Sequence, residues 1–146
     1  MMRRLRFVAV VGLLLGVAAL PAQELKRRGT GDIVGNLAEQ IREAVNDMMD
    51  KFAQTTRSQA MSDAEMKAFM SLAQMEGQLA AMASLSRNDR AQGYAAVLDA
   101  VNRSTTDTSQ ALRGLASASL IMADWTRLQM DLRQLETCVR STPAGR

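Results

Sequence analysis

Histidine is missing from this chain of 146 residues, and no other feature of the sequence removes as much chemistry. Without an imidazole there is no Ser-His-Asp or Cys-His nucleophilic system, no His-ligated zinc or haem, and no ordinary acid/base group working near neutral pH. Cysteine is almost missing too. Cys138 stands alone, which excludes an intrachain disulfide framework and a CxxC redox or metal motif. Aromatic residues make up 3% of the chain, which argues against a β-rich core. Charge of one sign is also lacking once the first few residues are set aside. The formal charge of +3 traces to Arg3, Arg4 and Arg6, and the rest of the chain sets fifteen basic residues against fifteen acidic ones. With no excess of Lys and Arg to meet phosphates, nucleic acid is not an expected partner. An enzyme assembled from what remains would have to work with carboxylates, Lys or Tyr alone, and no such set converges. The expectation is therefore no catalytic residue, no cofactor and no metal site.

What the chain does have is apolar residues, 47% against 23% charged, enough to fold one modest domain. Ala, Leu, Met, Gln and Arg are abundant, which favours helix. The first 22 residues, MMRRLRFVAVVGLLLGVAALPA, place three arginines before an uncharged run from Phe7 to Leu20, followed by Pro21 and Ala22. That is the order of a secretory signal peptide cut after Ala22. The run is 14 residues long, short of the roughly 20 that cross a bilayer as a helix. Leu20 at the third position before the cut, and Lys26, Arg27 and Arg28 soon after it, supply the alternative of an uncleaved membrane anchor. A membrane is a partner only in that case. Residues 23–31 read as a basic linker. Their closing GTGDIVG is not a phosphate loop, because no strand precedes it and no Lys-Ser/Thr follows.

From 32 to 140 the pattern predicts an all-α antiparallel bundle of about four helices, ahead of a short flexible tail at 141–146. Val34, Leu37, Ile41, Val45, Met48 and Phe52 recur every three or four residues and predict a first helix over 32–54. Glu39, Glu43, Asp47 and Asp50 fall almost opposite this stripe and read as a solvated face, not a cation site. Ser62 and Glu65 form a capping box opening a second helix that continues to about Leu85, with Ala68, Leu72, Met75, Leu79 and Met82 as its seam. The other side of that helix, with Met66, Met70, Ala73, Gly77 and Ala81, is apolar and small-featured as well. SRND at Ser86 to Asp89 repeats the capping-box grammar and predicts a shorter third helix to about Arg103. STTDTSQ, with Asp107 or Thr106 as cap, predicts a restart into the longest element, 108–140. There Ala111, Ala118, Trp125, Leu132 and Val139 are spaced by sevens, with Gly114, Ile121, Leu128 and Leu135 between them. The result is an unbroken coiled-coil heptad, small at its start and bulky at its end.

These features point to an exported, periplasmic or secreted protein with a non-enzymatic protein-binding or assembly role, self-associating or holding a protein partner. The expected partner surface is Met66, Met70, Gly77 and Ala81 on the second helix, with Ala111, Gly114 and Ala118 on the heptad seam. Two alternatives remain within reach of the sequence. One is a chaperone-like holdase using the Met-rich face, since methionine adapts to irregular surfaces. The other, from a different class, is a carboxylate-dependent hydrolase or a copper-binding protein, since thioethers suit Cu(I). Trp125 reads as core. Cys138, at the flank of the seam, is a candidate for a disulfide between two chains, with a buried thiol as the competing reading.

Overall fold

The computed structural model describes residues 30–55, 57 and 60–142. The predicted signal peptide, most of the predicted linker and the last four residues lie outside them. Among the described residues four α-helices follow in order: α1 (Thr30–Thr55), α2 (Asp63–Arg87), α3 (Tyr94–Leu112) and α4 (Met122–Ser141), with short 3-10 turns at Ala91–Gly93 and Ala116–Leu120. No strand occurs among the described residues.

Each helix runs against its neighbour. Gly35 of α1 abuts Ser86 of α2, while Arg42, two turns further along, meets Glu76, two to three turns back. Ser109 of α3 meets Gln129 of α4 just across the connection between them, and Lys51 near the end of α1 meets Asp124 near the start of α4. The topology is thus up-down-up-down, the arrangement short loops favour. α1 packs on α2 and α4, α2 packs on α3, and α3 and α4 meet only loosely.

Of the predicted α1 stripe, Val34, Ile41, Val45, Met48 and Phe52 are in the core, whereas Leu37 is only partly buried and Ala38, one position on, is fully buried instead. The predicted seam of α2 is buried as well, from Ala68 to Met82. Its start is the capping box expected from SDAE. Glu65 N–H donates to Ser62 Oγ at 3.3 Å, and Ser62 N–H donates to Glu65 Oε2 at 2.9 Å. Ser117 Oγ also donates to the same carboxyl, at 2.7 Å. The Ser62 backbone bond first, then the Ser117 and Ser62 hydroxyls, hold the Glu65 pKa below its ordinary value of 4.5. The stability this confers is fully present above 4.5 and is lost as pH falls through the lower folded value.

SRND is not a helix start. Ser86 lies inside the last turn of α2, and the segment forms the opposite kind of cap. Arg90 N–H donates to Leu85 O at 2.9 Å and Asp89 N–H to Ser86 O at 3.1 Å, with Asp89 left-handed at φ 52°. This is a Schellman stop with Asp where glycine is usual. The same hydroxyl-x-x-acid spacing serves either end of a helix, so the sequence alone could not tell them apart. A left-handed non-glycine residue is strained, and its negative charge sits at the negative end of the helix dipole. Asp89→Gly is therefore expected to stabilise the fold by about 1 kcal/mol, raising the melting temperature by several degrees in a thermal circular-dichroism scan. An unchanged or lower melting temperature would contradict the cap.

STTDTSQ does not restart the chain either. α3 runs straight through it to Leu112, and the hydroxyls of Thr105 and Thr106 donate back to the carbonyls of Val101 and Asn102 at 2.8 and 3.1 Å. Bonded this way, threonine is tolerated inside a helix. The break comes later, at Gly114, whose φ of 82° suits glycine alone. The predicted long helix 108–140 is thereby divided: its first turn belongs to α3, and α4 starts only at Met122. The longest element among the described residues is instead α1, with 26 residues. The reason is one of phase. At about 100° per residue, the buried face of α3 (Val101, Thr108, Leu112) and that of α4 (Trp125, Leu128, Leu132) would point to opposite sides of one continuous helix. Both reach a single core only if the chain turns back between them.

Candidate interaction surfaces

The exposed side of α2 is the most unusual surface of the molecule. Between Lys67 and Arg87 only Glu76 is ionisable, and its Oε1 accepts from Arg42 Nη1 at 2.9 Å in the α1–α2 junction. Glu39 also bonds this guanidinium, and these two carboxylates, Glu39 foremost, raise the Arg42 pKa. The outward arc is left without charge. It carries Met66, 45% exposed, Met70, 63% exposed, and Ala73, Gly77 and Ala81, all exposed. At helical spacing these five fall within about 80° of arc centred on Gly77. A Cβ placed on Gly77 would meet nothing within 4 Å.

The structure does not unite the seven predicted surface residues. Met66, Met70, Gly77 and Ala81 share the α2 face. Ala118 is in the core at 1% exposure, Ala111 is half-buried against it, and Gly114 lies exposed in the turn between α3 and the 3-10 segment. From Ala118 to Val139 the heptad seam is filled by the chain's own bundle, with Ile121, Trp125, Leu128, Leu132 and Leu135 all buried. The seam thus needs no second chain to cover it. Cys138 is half-buried at the edge of the same core.

The acidic residues of α1 sit outside, as the wheel predicts. Glu43, Asp47 and Asp50 are exposed, and Glu39 is half-buried in its pair with Arg42. Between α1 and α4 a cavity of 220 Å³ mixes signs, with Asp47, Asp124 and Asp131 against Lys51 and Arg127. Lys51 Nζ donates to Asp124 Oδ2 at 2.7 Å, and that bond raises the Lys51 pKa. Among the described residues no three carboxylates or thiols gather closely enough to hold a metal ion. Nor is any described helix long and apolar enough to cross a membrane.

A second surface had no signal in the sequence. Where α3 and α4 diverge, two adjoining cavities of 260 and 450 Å³ form a groove that shares Thr105, Thr106 and Gln129 as its floor and walls. Gln129 Nε2 donates to Ser109 Oγ at 3.2 Å, the one side-chain bond that bridges α3 and α4 among the described residues. Arg133 lines one cavity and Arg113 the other, and neither has a carboxylate partner among the described residues. Glu136, at the far end, is held by Arg140 at 2.6 Å. Polar residues at these positions read as solvated helix surface, and only the spacing of α3 and α4 makes them a groove.

Compared with protein-family models, with curated proteins and with solved structures, the chain matches none.

Proposed function

We propose that this is an exported helical protein, periplasmic or secreted after cleavage at Ala22, with a non-enzymatic binding or assembly role exercised through the outer face of α2. The observation that carries the reading is Gly77. A glycine in the middle of an exposed helix costs about 1 kcal/mol relative to alanine, and the bundle itself makes no use of the space above it. A helix of another protein or of a second copy, approaching closely over Ala73, Gly77 and Ala81 and flanked by Met66 and Met70, does make use of it. The lack of charge along this arc favours the same reading, since apolar exposure without charge marks a covered surface. A disulfide through Cys138 would reinforce such an assembly in an oxidising compartment.

Size-exclusion chromatography with light scattering on the mature chain tests self-association, with Gly77→Arg as the probe. The expected result is a stoichiometric oligomer that the substitution dissociates at least tenfold, while the melting temperature holds or rises because arginine favours helix over glycine. A wild-type oligomer that Gly77→Arg leaves intact would refute the α2 face as the contact. The second reading, a holdase, is favoured by the exposure of Met70 and Met66. It requires a monomer that suppresses aggregation of an unfolded client and loses that property when both methionines are replaced by glutamate.

A further inference from the structure

We infer that the groove between α3 and α4 is a second binding site, which takes an extended acidic peptide segment of another protein. The chemistry of the walls selects the ligand class. Two guanidinium groups without carboxylate partners among the described residues, beside a single lining carboxylate, Glu136, that is itself paired with Arg140, give the groove a positive character that the chain beyond Arg6, with fifteen basic against fifteen acidic residues, lacks. Arginine is the side chain best shaped to bind carboxylates in pairs of hydrogen bonds. Between the arginines the lining is amide and hydroxyl, from Gln129, Ser109, Thr105 and Thr106, groups that match the alternating N–H and C=O of a peptide main chain.

The same lining argues against the other polyanions and against lipid. No aromatic side chain borders the two cavities, so there is no platform for nucleobases or sugars. The one apolar residue in them, Leu132, is 5% exposed and offers no seat for an acyl chain. Length fits as well. Arg133 shares a cavity with Thr106, and Arg113 lies seven positions beyond Thr106, about 10 Å along the helix direction. An extended strand covers that distance in about three residues, so acidic side chains three or four positions apart would reach both arginines. The threonine hydroxyls already donate to backbone carbonyls, so toward a ligand they can serve only as acceptors, as main-chain N–H groups require. This site is separate from the α2 face and stands whether or not the chain self-associates.

The test is fluorescence anisotropy of a labelled oligoglutamate peptide with the whole mature chain at low salt. The expected result is saturable binding that weakens as salt rises, falls several-fold in Arg113→Gln and in Arg133→Gln, and falls at least tenfold in the double variant. Both arginines are exposed, and matching circular-dichroism melts verify that the variants fold. Arg127→Gln removes an equal charge from the α1–α4 side and is expected to leave binding unchanged. The inference is overturned by any of four results: an equal loss in Arg127→Gln, equal binding of oligolysine, competition by inorganic phosphate as strong as by the unlabelled peptide, or no saturable binding at low salt.

Discussion

Trp125→Ala is expected to lower the unfolding free energy by about 3–5 kcal/mol, a large share of the roughly 5–15 kcal/mol that holds a domain of this size together. Trp125 is 2% exposed in the middle of the α4 seam, between Ile121 and Leu128, which are also buried. Removing the indole leaves a cavity whose walls belong to a packed helix pair and relax only in part, so the loss combines transfer and cavity terms. Aromatic residues are scarce, and few large rings are available to fill that space from elsewhere. Urea denaturation followed by far-ultraviolet circular dichroism reads the effect, since the substitution removes the only tryptophan as a fluorescent reporter. The midpoint should fall with little change in the slope. An unchanged midpoint would mean that the ring is exposed and the seam misplaced.

Gly35→Ala should destabilise, although helix propensity alone predicts a gain of about 1 kcal/mol at this position. A Cβ on Gly35 would lie 2.3 Å from Ser86 Oγ and 2.7 Å from Ser86 Cβ. Ser86 is 6% exposed in the last turn of α2, and its Cβ is fixed to the backbone, so the clash cannot be relieved by swinging a flexible side chain away. The two helices have to separate where they start and end. Overpacking of this kind costs typically 1–3 kcal/mol. The net loss should be about 1–2 kcal/mol for alanine, after propensity is counted, and larger for Gly35→Leu. Adding Ser86→Gly removes both close atoms and should recover much of the loss, a coupling that a double-mutant cycle measures directly. A gain in stability from Gly35→Ala would show that α1 and α2 are further apart than the structure has them.

The legible parts of the fold were those where one face of a helix is apolar and the other is not. α1 is the clearest case, with Val34 to Phe52 on one side and Glu43, Asp47 and Asp50 on the other. α2 was half legible: its seam was identified, but with apolar residues on both sides the sequence could not say whether Met66, Met70, Gly77 and Ala81 were covered by the same chain. In the structure they are exposed. The misread boundaries share one cause. Ser86, Asp89, Thr106 and Asp107 have side chains that can serve as caps, but whether such a residue starts, stops or merely rides on a helix depends on the backbone around it. Asp89 became a stop because the backbone turned left-handed there, and Thr106 became an interior residue because its hydroxyl bonded back to Asn102.

By itself the sequence determined that the chain is helical, that Ser62 and Glu65 open a helix, and which side chains face inward from Ala118 to Val139 and, apart from the exchange of Leu37 for Ala38, from Val34 to Phe52. Composition, capping chemistry and a period of 3.6 residues are local properties, and the chain carries them wherever it goes. Only the tertiary structure decided where the heptad stops, which face of α2 stays open, and that α3 and α4 diverge into a groove lined by Arg113 and Arg133. Each of these depends on how one helix lies relative to another. The stripes of α3 and α4 are each sound alone, yet they point to opposite sides of a common axis, and a turn at Gly114 is what lets both bury themselves in one core.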